Sequence, residues 1–193
     1  DESYLRLPEP VLLAVMKKHQ RYLPVLREGH LLPYFVAVAN GPNLDIEAVR
    51  EGNEEVLRAR YADAAFFYEA DTRTPLSELT AQLSTLTFQE QLGSVLEKVH
   101  RLERLVPELC QLLGMTQEQA LAATRAASLC KSDLATQLVV EFTSLQGIMG
   151  RHYALLSGEP EAVAQAIEEH YLPRFMGDRL PERIEGVALG LAD

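Results

Sequence analysis

The chain has 193 residues, 47% of them hydrophobic and 24% charged, with a formal net charge of −10. That length fits one large domain or two small ones, and the apolar share supports a real core, which excludes wholesale disorder. The balance of 18 basic against 28 acidic residues excludes a general platform for nucleic acid, so any RNA contact has to come from a local basic patch.

No apolar run approaches the roughly 20 residues a membrane helix needs, so no membrane contact is expected. The start, DESYLRLPEP, lacks the basic-then-apolar layout of a secretory signal. Cys110 and Cys130 are too few for a disulfide framework and do not form a C-x-x-C zinc pair, and a reducing cytoplasm fits them best. The sequence stops at GVALGLAD, inside an apolar helical pattern, as a segment of a longer protein does.

PEPVLLAVMKKHQ places Val11, Leu12, Val15 and Met16 on one face at helical spacing, with prolines at its start. The period then changes. QRYLPVL and LLPYFVAVAN predict a β-hairpin turning at Gly29, with Pro24 and Pro33 at edges or bulges because they lack a donor. The helical period returns in DIEAVREGNEEVLRARYADAAFFYEAD, capped by Asn43 or Asp45, with an apolar stripe through Val49, Val56, Leu57, Ala64 and Phe67. Gly52 weakens its middle and predicts a kink or a split. A break follows at DTRTP, with Pro75 opening the next helix.

Further helices are expected at Phe88 to Leu113, Thr116 to Cys130, Ser132 to Phe142 and Pro160 to His170. Gly114, Gly147, Gly150 and Gly158 fall in the gaps, where left-handed caps or close packing call for glycine. YLPRFMGDRLP is a loop with two prolines. The expected fold is mainly α: a lead-in helix, β-hairpin and long helix over 1–80, then a multi-helix domain over 81–193, the two packed as one unit.

Chemistry concentrates at AASLCKSDL. Hydrolases of the HD superfamily carry a first His, a His-Asp pair and a distant A-D-x-L aspartate, which together hold metals that activate water. ALGLAD, ending in Asp193, resembles the last element, and Cys130-Lys131 stands where the His-Asp pair falls. The nearest first histidine is His100, and Asp133 is a surviving carboxylate three residues after Cys130. A protonated lysine cannot be a ligand and repels a metal ion. The favoured reading is a helix that keeps the shape and has lost the ligands, with no metal bound. The rival is a metal-dependent HD-type phosphohydrolase using His100, Asp133 and Asp193.

Longer motifs extend over the whole chain. HQRYLPV and GHLLPYFVAVAN are similar to Q-x-Y-F-P-V and L-L-P-x-F-x-x-V-A-N, with Leu23 for an aromatic. GNEEVLRARYADAAFFYEAD matches G-N-E-x-V-x-x-A-R-L-A-D-A-x-F-F, with Tyr61 for leucine. TFQEQLGSVLEKVHRLERL, SLCKSDLATQLVVEFTSLQGIMGRHYA (Leu138 for methionine) and EEHYLPRFMGDRLP follow in order. Together they resemble the beta-subunit family of the bacterial two-subunit glycyl-tRNA synthetase, which contains a degenerate HD domain. The resemblance implies a heterotetramer of two alpha and two beta subunits, in which alpha uses ATP and Mg to attach glycine and beta recognises and positions tRNA(Gly). It implies no cofactor in this segment, no catalytic residue and an HD-like fold for 81–193.

Lys17, Lys18 and Arg21 are candidate tRNA contacts on the helix before the hairpin. Arg58 and Arg60 are further candidates, for which a structural ion pair with Asp63 is the preferred reading. His152 and His170 are expected at the surface or as caps, and Cys130 as a small buried apolar residue.

Overall fold

A computed structural model describes residues 2–41 and 44–193, with the backbone alone at Lys18 and His19. Two compact units result, Asp1–Ala70 and Asp71–Asp193. The division read from the sequence, after residue 80, falls inside the second unit, within the 3-10 turn Thr80–Thr85.

In the first unit, α1 (Glu9–Ala14) opens behind Pro8 and continues as a π turn over Val15–His19. Val11, Leu12, Val15 and Met16 are all buried, as their spacing predicts. Strands β1 (Leu23–Arg27) and β2 (His30–Val36) pair antiparallel, with an irregularity between Pro24 and Leu26. Glu28 and Gly29 both have positive φ, 51° and 82°, the geometry of the tight turn that matches strand twist. Among the described residues this sheet has two strands, so both prolines lie on edges.

Helix α2 (Ile46–Asp71) is one run of 26 residues. Asp45 Oδ1 accepts from the Ala48 amide at 3.2 Å, so the cap is present there; Asn43 lies outside the described residues. Gly52 does not break the helix, because it sits on the exposed face where a side chain meets nothing. The buried stripe is also shifted. Leu57, Tyr61, Ala64 and Ala65 are buried, whereas Val56, expected inside, is exposed. Tyr61 earns its place in the stripe through its hydroxyl, which donates to the Leu12 carbonyl at 3.1 Å.

The second unit is helical: α3 (Leu76–Leu79), α4 (Val95–Leu112), α5 (Gln117–Leu129), α6 (Gln137–Glu141), α7 (Ile148–Leu156), α8 (Glu161–Glu169) and α9 (Ile184–Ala192). Helix α5 packs on α4, α8 and α9, and its face of Ala123, Ala126 and Ala127 is fully buried, which lets those neighbours approach closely. Thr116 and Gln119 form a reciprocal cap at the start of α5.

Three expectations are corrected here. The helix expected from Phe88 begins only at Val95, because Gly93 (φ 82°) and Ser94 form a short strand β4 (Gly93–Ser94) against β3 (Thr87–Gln89). Ser94 then caps α4 reciprocally with Glu97. The helix expected over 132–142 is a 3-10 turn (Ser132–Ala135), an extended Thr136 and then α6. Its break is fixed by Asp71, whose carboxylate accepts from the Gln137 and Leu138 amides at 2.9 and 3.0 Å. Finally, Gly150 lies inside α7 rather than in a gap, and a Cβ there meets the Asp133 carboxylate at 3.0 Å.

Candidate functional site

The ends of α5, α8 and α9 converge. Two glycines in α9 set this up: a Cβ on Gly186 would lie 2.6 Å from Glu169, and one on Gly190 would lie 3.3 Å from the His170 carbonyl. With no side chains at those positions, α9 lies close against the end of α8 and delivers Asp193 to the centre.

The residue at the centre is Lys131, 5% exposed. Its Nζ is 2.8 Å from His170 Nε2 and 2.8 Å from Asp193 Oδ2, and it lies 4.2 Å from the centre of the Tyr171 ring. An ammonium only donates, so His170 Nε2 is the acceptor and its Nδ1–H donates to the Ile167 carbonyl at 2.8 Å. Burial, helped by the Lys131 charge, pushes the His170 imidazole down to about 3, which keeps it neutral. Burial works to raise the Asp193 carboxyl, but the charge and hydrogen bond of Lys131 outweigh it and hold the group below its usual range. Lys98, from α4, makes a second ion pair to Asp193 at 3.1 Å.

Asp133 is fully buried beside this cluster. Its Oδ2 accepts from the Gly147 and Gly150 amides at 2.6 and 3.2 Å, a carboxylate at the start of α7 where the helix dipole favours it. Its Oδ1 has no partner among the described residues. Burial pushes the carboxyl up to about 6, against those amide bonds and the Lys131 charge. Cys130 is buried as expected, its Sγ 3.4 Å from the Ala127 carbonyl, and burial pushes its thiol up to about 12.

These residues do not fit a divalent metal. The donors that face the centre, His170 Nε2 and Asp193 Oδ2, are occupied by an ammonium, and Asp133 holds a helix start. His100 is exposed on α4. Among the described residues no group of three or more His, Cys, Asp or Glu is arranged to hold a metal. Asp133 and Cys130, three residues apart, do not share a helix, because α5 ends between them. His170 caps α8 as expected, yet it is buried, not at the surface.

Of the candidate tRNA contacts, Lys17, Arg21 and Arg58 are exposed and Arg60 is half-buried, while the Lys18 side chain lies outside the described residues. Arg58 borders a cavity of about 540 Å³ in the first unit, with Tyr34, Ile46 and Asn53 among its walls.

The loop expected at YLPRFMGDRLP follows α8, and the residues the sequence did not single out are those at its tip. Gly177 (φ 85°) and Asp178, which accepts from the Arg174 amide at 2.8 Å, close a turn there. The Arg174 guanidinium ties the turn to the Ser144 and Gln146 carbonyls at 3.2 and 2.8 Å, and Arg179 pairs with Glu168. The turn presents Phe175 at 67% exposure and Met176 at 101%. Its Phe-Met-Gly-Asp order was the available signal.

The fold and site thus define a helical domain centred on a buried lysine ion pair. The family model for the glycyl-tRNA synthetase beta subunit matches residues 1–193. The glycine–tRNA ligase beta subunit of Halothermothrix orenii is 52% identical over 194 residues, covering 100% of this chain and 28% of that protein. That of Clostridioides difficile is 50% identical over 193 residues, covering 100% of this chain and 28% of that protein. The Arabidopsis thaliana protein "glycine–tRNA ligase, chloroplastic/mitochondrial 2" is 50% identical over 193 residues, covering 100% of this chain and 18% of that protein. The chain belongs to the glycyl-tRNA synthetase beta-subunit family, and it spans about 28% of the length of the bacterial relatives. Among the described residues no helix is long and apolar enough to cross a membrane.

Proposed function

We propose that this chain is the segment of a glycyl-tRNA synthetase beta subunit that helps bind and position tRNA(Gly), with no catalytic centre of its own. In this reading glycine activation with ATP and Mg, and transfer to tRNA, are carried by an alpha subunit in a cytoplasmic assembly of two alpha and two beta chains. Family membership supports the ligase assignment. The observation that carries the non-catalytic role is the buried ammonium of Lys131, paired with His170 and Asp193 at the position where an HD-type hydrolase needs a metal-binding pair.

The RNA-facing groups are the exposed Lys17, Arg21 and Arg58, joined by Lys18 and Arg60 from the same stretches, and the Phe175–Met176 turn. Cations neutralise phosphates without reading sequence, while an exposed ring stacks on an unpaired base. The acidic balance of the chain predicts a weak autonomous interaction, in the range of about 10⁻⁴ to 10⁻⁶ M at physiological salt.

The test is aminoacylation by the complete enzyme, with and without a Lys17→Glu, Lys18→Glu, Arg21→Glu triple variant. The expected result is a raised KM for tRNA with kcat and the glycine-dependent activation step unchanged. Charging of tRNA by this segment without the alpha subunit overturns the reading, as does a triple variant with unaltered KM.

A further inference from the structure

Three helix ends meet at a single atom, the Nζ of Lys131. It stands 2.8 Å from an imidazole nitrogen at the end of α8 and 2.8 Å from a carboxylate oxygen beyond the end of α9. Both contacts are directional lone pairs aimed at one cation, inside a cluster where Lys131 is 5% exposed. Aimed lone pairs around a buried positive centre are what a protein-bound metal ion has, with the single difference that the ion here is part of the chain. The surrounding charges close the comparison. The ammonium groups of Lys98 and Lys131 balance the carboxylates of Asp133 and Asp193, so an added dication leaves two uncompensated charges in a buried place.

We propose that Lys131 is a built-in cation standing where a divalent metal would otherwise join the ends of α5, α8 and α9, and that His170 and Asp193 are a latent metal site which a ligand at position 131 opens. This inference goes beyond the tRNA reading and does not depend on it.

Reach supports the swap. A histidine or aspartate at 131 is shorter than lysine, and a metal bonded at about 2.1 Å fills the difference while contracting the 2.8 Å contacts to bonding distance. Lys131→His gives two imidazoles and one carboxylate with room for water, a donor set suited to zinc or cobalt. Lys131→Asp supplies instead the excess negative charge that a dication needs.

The experiment uses the full-length beta subunit as wild type, Lys131→His, Lys131→Asp and the double variant Lys131→His with His170→Ala. Each is loaded with zinc or cobalt and dialysed. Bound metal is then measured by elemental analysis, and melting is followed with metal and with a chelator. The expected result is one His170-dependent ion per chain in Lys131→His, at least tenfold tighter than in the double variant, with a Tm that falls by several degrees on chelation. Wild type gains no His170-dependent metal and melts identically with and without chelator. The proposal is overturned if wild type holds such a metal. It is overturned equally if both single variants bind no more metal than wild type, or if neither regains the fold when metal is supplied.

Discussion

The Tyr153 hydroxyl donates to Asp71 Oδ2 at 3.1 Å across 82 positions of sequence, inside the buried interior of the second unit. The same carboxylate receives the first two amides of α6 at 2.9 and 3.0 Å. Three donors thus depend on one side chain at the last residue of α2.

Removing that side chain takes a hydrogen bond from two buried donors, the Leu138 amide and the Tyr153 hydroxyl, and from the part-buried Gln137 amide, each loss costing about 1–3 kcal/mol. Asp71→Ala is therefore expected to destabilise by about 3 kcal/mol or more, with Asp71→Asn intermediate because its amide oxygen keeps some of the bonds. Urea denaturation of both variants measures this. Equal stability of Asp71→Ala and wild type refutes the capping role.

Asp133 makes stability depend on pH in a direction opposite to most carboxylates. Its folded pKa is raised to about 6 from the usual 3.8, so its contribution is fully present below about 3.8 and is lost as pH rises through 6. His170 opposes it, since burial and Lys131 keep it neutral down to about 3 and its contribution is lost as pH falls below about 6.5. Comparing Asp133→Asn with wild type isolates the first effect. The variant's relative stability is expected to fall by on the order of 2 kcal/mol between pH 8 and pH 4. A pH-independent difference contradicts this.

Two glycine-to-alanine changes are expected to act with opposite sign. Gly52 lies in the exposed face of α2 with open space around it, so Gly52→Ala gains about 0.5–1 kcal/mol of helix propensity. Gly147 has φ +76° and a Cβ there falls 2.4 Å from Tyr171 Cδ2, so Gly147→Ala loses about 3 kcal/mol from strain and overlap together. Thermal melts read both, and a stabilising Gly147→Ala sinks the account of that turn.

Phe175 is exposed on the turn after α8, so Phe175→Ala is expected to leave Tm nearly unchanged. As a stacking surface worth about 1–3 kcal/mol per base, it is expected to weaken tRNA binding by the complete enzyme roughly five- to tenfold or more. Fluorescence anisotropy with labelled tRNA distinguishes the two readouts. Unchanged affinity removes the turn from the RNA surface.

What could be read from the sequence was local. Gly29 announced a hairpin turn, Thr116 and Pro160 announced helix starts, and Cys130 announced a buried small residue. Each depends on neighbours within a few positions. The Lys131 cluster is assembled across 39 and 62 positions, so the sequence showed a lysine spoiling a ligand pair but not the partners that make it a centre. Helix α7 was missed for a related reason. Gly147 is the left-handed cap and Gly150 the close-packed glycine that such positions call for, but the gap expected around both holds a helix, and Gly150 is small because Ile167 Cγ2 and the Asp133 carboxylate both approach it. Val56 was assigned to the buried stripe of α2 on polarity alone, while the half-buried Asn53 lies nearer the core because it accepts from the Tyr22 hydroxyl at 2.7 Å.

Both thiols of the chain are buried in the second unit, Cys110 on α4 and Cys130 at the end of α5. Alkylating reagents reach them only when the helices part, and an alkylated Cys130 cannot return to its fully enclosed position. The domain therefore carries two native clocks of its own opening. Timed labelling followed by mass measurement reads α4 and the α5 end separately, so a single experiment on unaltered protein tells whether the lysine-centred junction opens with the rest of the bundle or before it.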